Sequence, residues 1–244
     1  LDLVLLRANE TYFKLDRRNR ESEVSKIIES AGKAPVKVSS SVYAAFQAAE
    51  KVAKWSNGAF DITSPKGPGN YKDIKLKTQG SDNTVYLEKA GMAVSFDAII
   101  DGFMADFIIK NIHASNMYNA MVKVGNVFRG IGQNLHGPWK ITIEDDSGVF
   151  AKHALNITVT NVSVATVSAS QYRGVSIFDP RTKEPIYMPS KGTAVVLQDA
   201  ALAQGLAQAA FILGPDKGLE MLTKYAKGLI VDKNGRFMRT PGFL

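Results

Sequence analysis

The chain has 244 residues, 45% of them hydrophobic and 22% charged, which is enough apolar material to bury one large core. It contains no cysteine, so disulfides, thiolate nucleophiles and cysteine-based metal sites are excluded. The formal charge of +7 favours anionic partners through long-range steering without naming one, and no run reaches the roughly 18 apolar residues of a membrane span.

Residues 1 to 13 read as a helix and "SEVSKIIES" as a short second one. "KLDRRNR" (Lys14, Arg17, Arg18, Arg20) lies between them without stacking aromatics or a nucleic-acid-binding module, and reads as a solvated surface. In "SSSVYAAFQAAEKVAKWSNG", Val42, Ala45, Phe46, Ala49, Val52 and Ala53 recur at helical spacing. Ser39 to Ser41 offer its N-cap, and Asn57-Gly58 its left-handed close. "SPKGPGN" is a breaker-rich loop that lacks the spacing of a phosphate-binding P-loop. "KDIKLK", "NTVYLEK" and "MAVSF" read as short strands.

A helix from about Ala98 to Ile112 follows, with Ile100, Phe103, Met104, Phe107 and Ile108 as its expected buried stripe. "MYNAMVKVGNVFRGIG" and "WKITIED" read as strands, and "HALNITVTNVSVATVS" as a strand pair or one long strand. "GVSIFDPRTKEP" is strand then turn, and "GTAVVLQ" a further strand. "DAALAQGLAQAAFILGPD" is a helix capped by Asp199 and stopped at Gly214-Pro215, with "KGLEMLTKYAKG" as the last helix. "GLIVDKNGRFMRT" reads as a hairpin in which Asn234-Gly235 suits a type I′ turn. Strands come in groups with helices between them, so the expected class is α+β: mixed or antiparallel sheets with packed helices, in a single domain spanning 1–244.

Several chemical readings follow from the residues alone. Asp97 and Asp101, four apart, share a helical face. They suit either a metal pair or a helix start, where carboxylates meet the positive dipole end; the expectation is the helix start, with Asp97 as the cap. Asp106 is expected on the polar face. Asp61 in "AFDIT" and Asp179 to Thr182 in "DPRT" suit turn-holding hydrogen bonds or ligand contacts, with Arg181 available to a phosphate or a carboxylate. His113, His136 and His153 are scattered, without a metal-ligand spacing, and no Ser/His/Asp triad stands out.

The ordered set "SNGAFDIT", "YKDIKL", "MAVSFDAIIDGFMADFI", "NAMVKVGNVFRGIG", "GPWKITIED", "SIFDPRTKEP" and "DAALAQGLAQAAFILGP" resembles the ApbE family, the FAD:protein FMN transferases. The resemblance covers nearly the whole chain and implies that family's fold, with its N-terminal strand and signal region absent here. It implies a cleft formed by Asp61, Ser95, Asp97, Asp101, Lys123, Asn126, Ser168, Asp179, Arg181 and Thr182, with FAD and Mg²⁺ as ligands where the site is retained.

The chain departs from the family pattern at chemical positions. The helix start D-L-G-G-I-A-K-G reads Ser95, Phe96, Asp97, Ala98, Ile99, Ile100, Asp101, Gly102, so paired glycines are lost and a lysine becomes an aspartate. The Asp and Thr that the family uses as metal ligands on the late helix are Gln204 and Gln208. A neutral amide is a poorer ligand than a carboxylate for a hard dication. D-I-G-G-D reads Lys123, Val124, Gly125, Asn126, Val127, the family histidine is Ser176, and A-T-S-G-D-Y aligns with Val167 to Tyr172. "SPKGPGN" replaces a longer segment that would cover the flavin ring. These departures lead to an expectation of no resident metal, weak or no FAD binding, and a binding or accessory role that has lost FMN transfer. The alternative is a divergent, active Mg²⁺-dependent FAD:protein FMN transferase or FAD pyrophosphatase. The resemblance further implies a periplasmic or other extracytoplasmic place and a protein partner there. It implies no nucleic acid, and membrane contact only through an upstream lipid anchor.

Overall fold

The computed structural model describes residues 1–143, 149–150 and 156–243. Helix α1 (Asp2–Leu15) and α2 (Glu23–Glu29) precede a short strand, β1 (Val36–Val38), and the long helix α3 (Ser40–Trp55). All six of the expected apolar positions of α3 are buried, and Asn57 and Gly58 close it with φ of 50° and 79°. Its start departs from expectation. Ser39 occupies the N-cap position of α3 but makes no side-chain cap bond; its N–H and Oγ both donate to Glu23 Oε2, at 2.7 and 3.0 Å, and so tie the starts of α2 and α3 together.

β2 (Ile74–Gln79) and β3 (Asp82–Leu87) form a hairpin that β1 extends, in the order β1-β3-β2. "MAVSF" is not a strand: only Val94 pairs, in an isolated bridge with Thr63. Helix α4 (Ile100–Ala114) turns a different face inward from the one expected. Gly102, Met104, Ala105, Ile109 and Ile112 are buried, whereas Ile100, Phe103, Phe107 and Ile108 are half-buried. The reason lies in a neighbour. A Cβ on Gly102 would lie 2.2 Å from the Ala200 carbonyl oxygen, so the small residues of α4 meet a second helix backbone to backbone.

β4 (Ala120–Val124) and β5 (Val127–Ile131) form a hairpin across Gly125-Asn126. Two minor ladders follow. One joins β6 (Gln133–Asn134) to β7 (Gly137–Pro138), and the other joins β8 (Lys140–Thr142) to β9 (Asn156–Thr158). The alternating run around residue 160 is therefore two strands, since β10 (Ser163–Ser168) pairs elsewhere and Asn161, at φ 54°, turns the chain between them. The end of "WKITIED" and the beginning of "HALNITV", His153 included, lie outside the described residues.

β11 (Ile177–Phe178) and β12 (Pro185–Ile186) flank the "DPRT" turn, and β13 (Ser190–Leu197) leads into α5 (Ala200–Tyr225). Asp199 caps α5 as expected, its Oδ1 accepting from Leu202 N at 2.8 Å. Gly214, at φ 76° and ψ −178°, breaks α5 at the expected stop, and the two expected helices continue across that kink. The chain ends in the hairpin of β14 (Lys227–Asp232) and β15 (Phe237–Arg239). Its turn is not type I′. Only Gly235 has positive φ, and Asp232 Oδ1 accepts from the N–H groups of Asn234 and Arg236 at 2.8 Å each.

The main sheet runs β15-β14-β13-β10-β5-β4, antiparallel throughout. Helix α5 lies on it, and α3 and α4 pack against α5. Phe46 of α3 is buried with its ring edge-on to Phe96 at 4.9 Å. The chain is thus α+β, as expected. Phe46→Ala should cost about 3–5 kcal/mol, read as a lower denaturant midpoint with an unchanged slope.

Candidate functional site

Asp61 lies just beyond α3, where the chain leaves the Asn57-Gly58 close. Its carboxylate accepts from the N–H groups of Thr63 and Tyr71, each at 2.8 Å. Burial pushes this carboxyl up, and the two backbone bonds oppose the shift. Asp61 borders two cavities. One, of about 290 Å³, is lined by Asn70, Tyr71, Lys72, Arg181 and Lys183. The other, of about 320 Å³, lies beside Ser95, Asp97 and Arg17.

The "DPRT" turn folds on itself. Asp179 accepts from Arg181 N at 2.9 Å, Nε at 2.9 Å and Nη2 at 2.5 Å, and this guanidinium holds the Asp179 carboxyl below its ordinary range. Thr182 Oγ1 accepts from Glu184 N at 3.3 Å. Lys183, at φ 62°, donates from Nζ to the Gly67 carbonyl at 2.6 Å, joining this turn to the breaker-rich loop.

Asp97 does not cap α4. Ile99 occupies the cap position without a side-chain bond; Asp97 is exposed, 3.9 Å from Arg17 Nε, and its own N–H donates to Ser95 Oγ at 3.2 Å. The chain bends into α4 two residues later than the aspartate, too far for its oxygen to reach an orphan N–H. Asp101 does lie in the first turn. Burial raises its carboxyl; a bond from Gln204 opposes this, and the charge of Asp97 adds to it. The β4–β5 turn closes over it. Gly125 has φ 51°, and a Cβ there would lie 2.2 Å from Asp101 Oδ2. Lys123 and Arg181 do not pair with Asp101: Lys123 Nζ lies 5.1 Å over the Phe128 ring, and Arg181 is held by Asp179.

Gln204 Oε1 accepts from Gly102 N at 2.7 Å, and its Nε2 faces Asp101 Oδ2 at 3.5 Å. Gln208 Oε1 accepts from the Tyr172 hydroxyl at 2.5 Å, and the Tyr172 ring stacks on Phe211 at 5.6 Å. The two glutamines therefore bond to α4 and to Tyr172 rather than to each other. Ser168 shares a 2.6 Å bond with Ser170, and Asn126 offers its carbonyl to Thr166 N at 3.1 Å. The expected residues thus fall into an Asp61–Ser95–Asp97 group, an Asp61–Arg181 cavity and an Asp101–Gln204–Gln208 group. Lys123, Ser168 and Thr182 make local contacts instead, with the Phe128 ring, Ser170 and Glu184 N respectively.

Asp106 is not an ordinary polar-face residue. Its Oδ2 accepts from Ala200 N at 2.7 Å and Ala201 N at 3.0 Å, and its Oδ1 meets Arg129 Nε at 3.2 Å. It therefore serves the first turn of α5 together with Asp199. Burial first, then the neighbouring Asp199, push its carboxyl up to about 7. Its sequence signal was an aspartate within an apolar helix, but the helix end it serves lies 94 positions away. Of the histidines, His113 lies edge-on to Tyr118 at 5.0 Å, and His136 sits in the β6–β7 turn, where its N–H donates to Asn134 Oδ1.

Among the described residues no three His, Asp or Glu side chains converge as a metal site. The Asp101 group offers one carboxylate and two amide oxygens already engaged as acceptors. That set does not fit a hard divalent ion as it stands.

This architecture, a six-stranded antiparallel sheet backed by α5 with α3 and α4 against it, is shared with solved flavin transferases. The flavin transferase ApbE from Vibrio cholerae superposes with a TM-score of 0.82 at 19% identity, covering 99% of this chain and 89% of that one. The ApbE protein from Thermotoga maritima gives 0.84 at 22%, with the same coverage. The ApbE family model matches residues 5–67 and 66–232, and the chain belongs to the ApbE family. It is 27% identical to an FAD:protein FMN transferase of Treponema pallidum over 256 residues, 86% of this chain and 70% of that protein. It is also 27% identical to one of Haemophilus influenzae over 161 residues, 62% of this chain and 46% of that protein.

Two substitutions separate the roles of the acids. Asp106→Ala should cost about 2–4 kcal/mol, by leaving two N–H groups of α5 without their acceptor and Arg129 Nε without its carboxylate partner. Asp97→Ala should stay within about 0.5 kcal/mol. Asp106 also sets a pH dependence. Its folded value of about 7 lies above an unfolded value of about 3.9, so the folded state holds the extra proton between them. The resulting stability is full below the unfolded value and is lost as pH rises through the folded one. Asp106→Asn should flatten the melting temperature across that window.

Proposed function

We propose that the chain is a divergent flavin transferase that takes FAD and passes FMN to a protein acceptor, in an extracytoplasmic setting. Membership of the ApbE family and the similarity to two FAD:protein FMN transferases support this reading more than loss of transfer. The observation that carries it is the cavity of about 290 Å³ beside Asp61. There the "AFDIT" and "DPRT" turns meet beside Tyr71, Lys72 and Lys183. The Tyr71 ring, the Lys72 and Lys183 amines and the edge of Arg181 left free by its pair with Asp179 suit a flat, anionic dinucleotide.

A second reading, a binding or accessory protein that has lost transfer, rests on one specific observation. The Gln204 and Gln208 oxygens are spent on internal bonds, so charge neutralisation at a transferring phosphoryl group has fewer parts available.

Incubation with FAD, Mg²⁺ and an acceptor protein separates the two. Covalent flavin on the acceptor, seen by mass and fluorescence, is the expected result. Bound FAD with an unlabelled acceptor would favour the second reading. Arg181→Ala should weaken FAD binding about tenfold in a fluorescence titration if the cavity is the binding site.

A further inference from the structure

The α4–α5 junction carries a set of acceptors that looks available in sequence and is not. Gln204 Oε1 is held by Gly102 N at 2.7 Å, and Gln208 Oε1 by the Tyr172 hydroxyl. The stacking of Tyr172 on Phe211 fixes that hydroxyl in place. Asp101, the one carboxylate of the group, faces the Gln204 amide and is roofed by Gly125. A magnesium ion needs near-octahedral oxygen donors at about 2.0–2.1 Å, usually with one or two carboxylates among them. Gln204 and Gln208 each keep a second lone pair, but they are neutral amides held in place by Gly102 N, an orphan N–H in the first turn of α4, and by the half-buried Tyr172, and neutral amides are poor ligands for a hard dication. Lys72, Lys183, whose Nζ also donates to the Gly67 carbonyl, and Arg181, paired with Asp179, line the cavity beside Asp61 instead.

We propose that the junction of Asp101, Gln204, Gln208 and Tyr172 is closed by its own hydrogen bonds and takes no divalent ion. The diphosphate of a flavin nucleotide is neutralised instead by Lys72, Arg181 and Lys183. The second statement rests on the flavin reading above; the first does not.

Equilibrium dialysis of the full chain against Mn²⁺, with and without inorganic pyrophosphate, tests the first directly. The expected result is binding below about a tenth of an equivalent at micromolar ion. Stoichiometric Mn²⁺ that is lost in Asp101→Asn would overturn it. The double variant Gln204→Asp, Gln208→Asp should gain ion affinity about tenfold or more. Because two new carboxylates beside Asp101 can unfold the junction, Gln204→Asp in an Asp101→Asn background is the companion variant, with its melting curve as the fold control.

FAD titration with Mg²⁺ or with EDTA tests the second statement. Affinities should agree within about twofold, and Lys72→Glu with Lys183→Glu should weaken binding about tenfold or more and flatten its salt dependence. FAD affinity that requires Mg²⁺ would overturn ion independence. FAD that fails to bind under either condition would overturn the flavin reading and with it the role of the three cations, while the Mn²⁺ dialysis still decides the junction.

Discussion

The close approach of α4 to α5 is the constraint on which the rest of the structure depends. Gly102 leaves no room for a Cβ against the Ala200 carbonyl, so the two helix starts meet through their backbones. Such contact is stable only if the orphan N–H groups at both starts find acceptors. Asp106 reaches from α4 to the first N–H groups of α5, and Gln204 reaches from α5 to Gly102 N of α4. Each helix therefore supplies the cap for the other. Arg129, from the neighbouring β5, pairs with Asp106 and ties the junction to the main sheet.

This reciprocal capping decides the chemistry of the cleft. The side chain that a metal would recruit is the one that satisfies α4, and the aspartate that would offer it charge is partly buried under a glycine turn. Burial raises the carboxyls of Asp61, Asp101 and Asp106, so negative charge near the helix starts is disfavoured rather than concentrated. The amines of Lys72 and Lys183 and the guanidinium of Arg181, itself paired with Asp179, line the cavity around Asp61. A cleft of this kind presents cationic side chains to an anion and keeps its carboxylates occupied with the fold.

Much of this was legible in the residues. The periodicity of α3, the cap at Asp199, the break at Gly214 and the α+β class all follow from local patterns, and the structure has them. The ordered motifs pointed to the ApbE family, to which the chain belongs. Local patterns misled where a distant partner chose the outcome. The inward face of α4 places Gly102 and Ala105 beside Met104, Ile109 and Ile112, because the start of α5 lies against Gly102. "MAVSF" alternates like a strand but pairs only through the Val94–Thr63 bridge, whose bonds run from Ser64 N to the Ala93 carbonyl and from Ser95 N to the Ile62 carbonyl. The Asn234-Gly235 turn is governed by the Asp232 carboxylate rather than by the dipeptide.

The sequence by itself determined the family, the α+β class, the positions of α1 to α5 within a few residues and the absence of thiol chemistry. Each of these rests on composition, on periodicity or on an ordered set of motifs. Tertiary structure alone decided that Asp106 and not Asp97 serves a helix start, which face of α4 is buried and which polar atoms of the cleft are already engaged. Those outcomes depend on side chains brought together from positions about a hundred apart, such as Gly102 with Gln204 and Asp106 with Ala200. A hydrogen-bonding group reads the same in sequence whether its partner is solvent, a ligand or the end of another helix; only the packing of α4 on α5 assigns that partner.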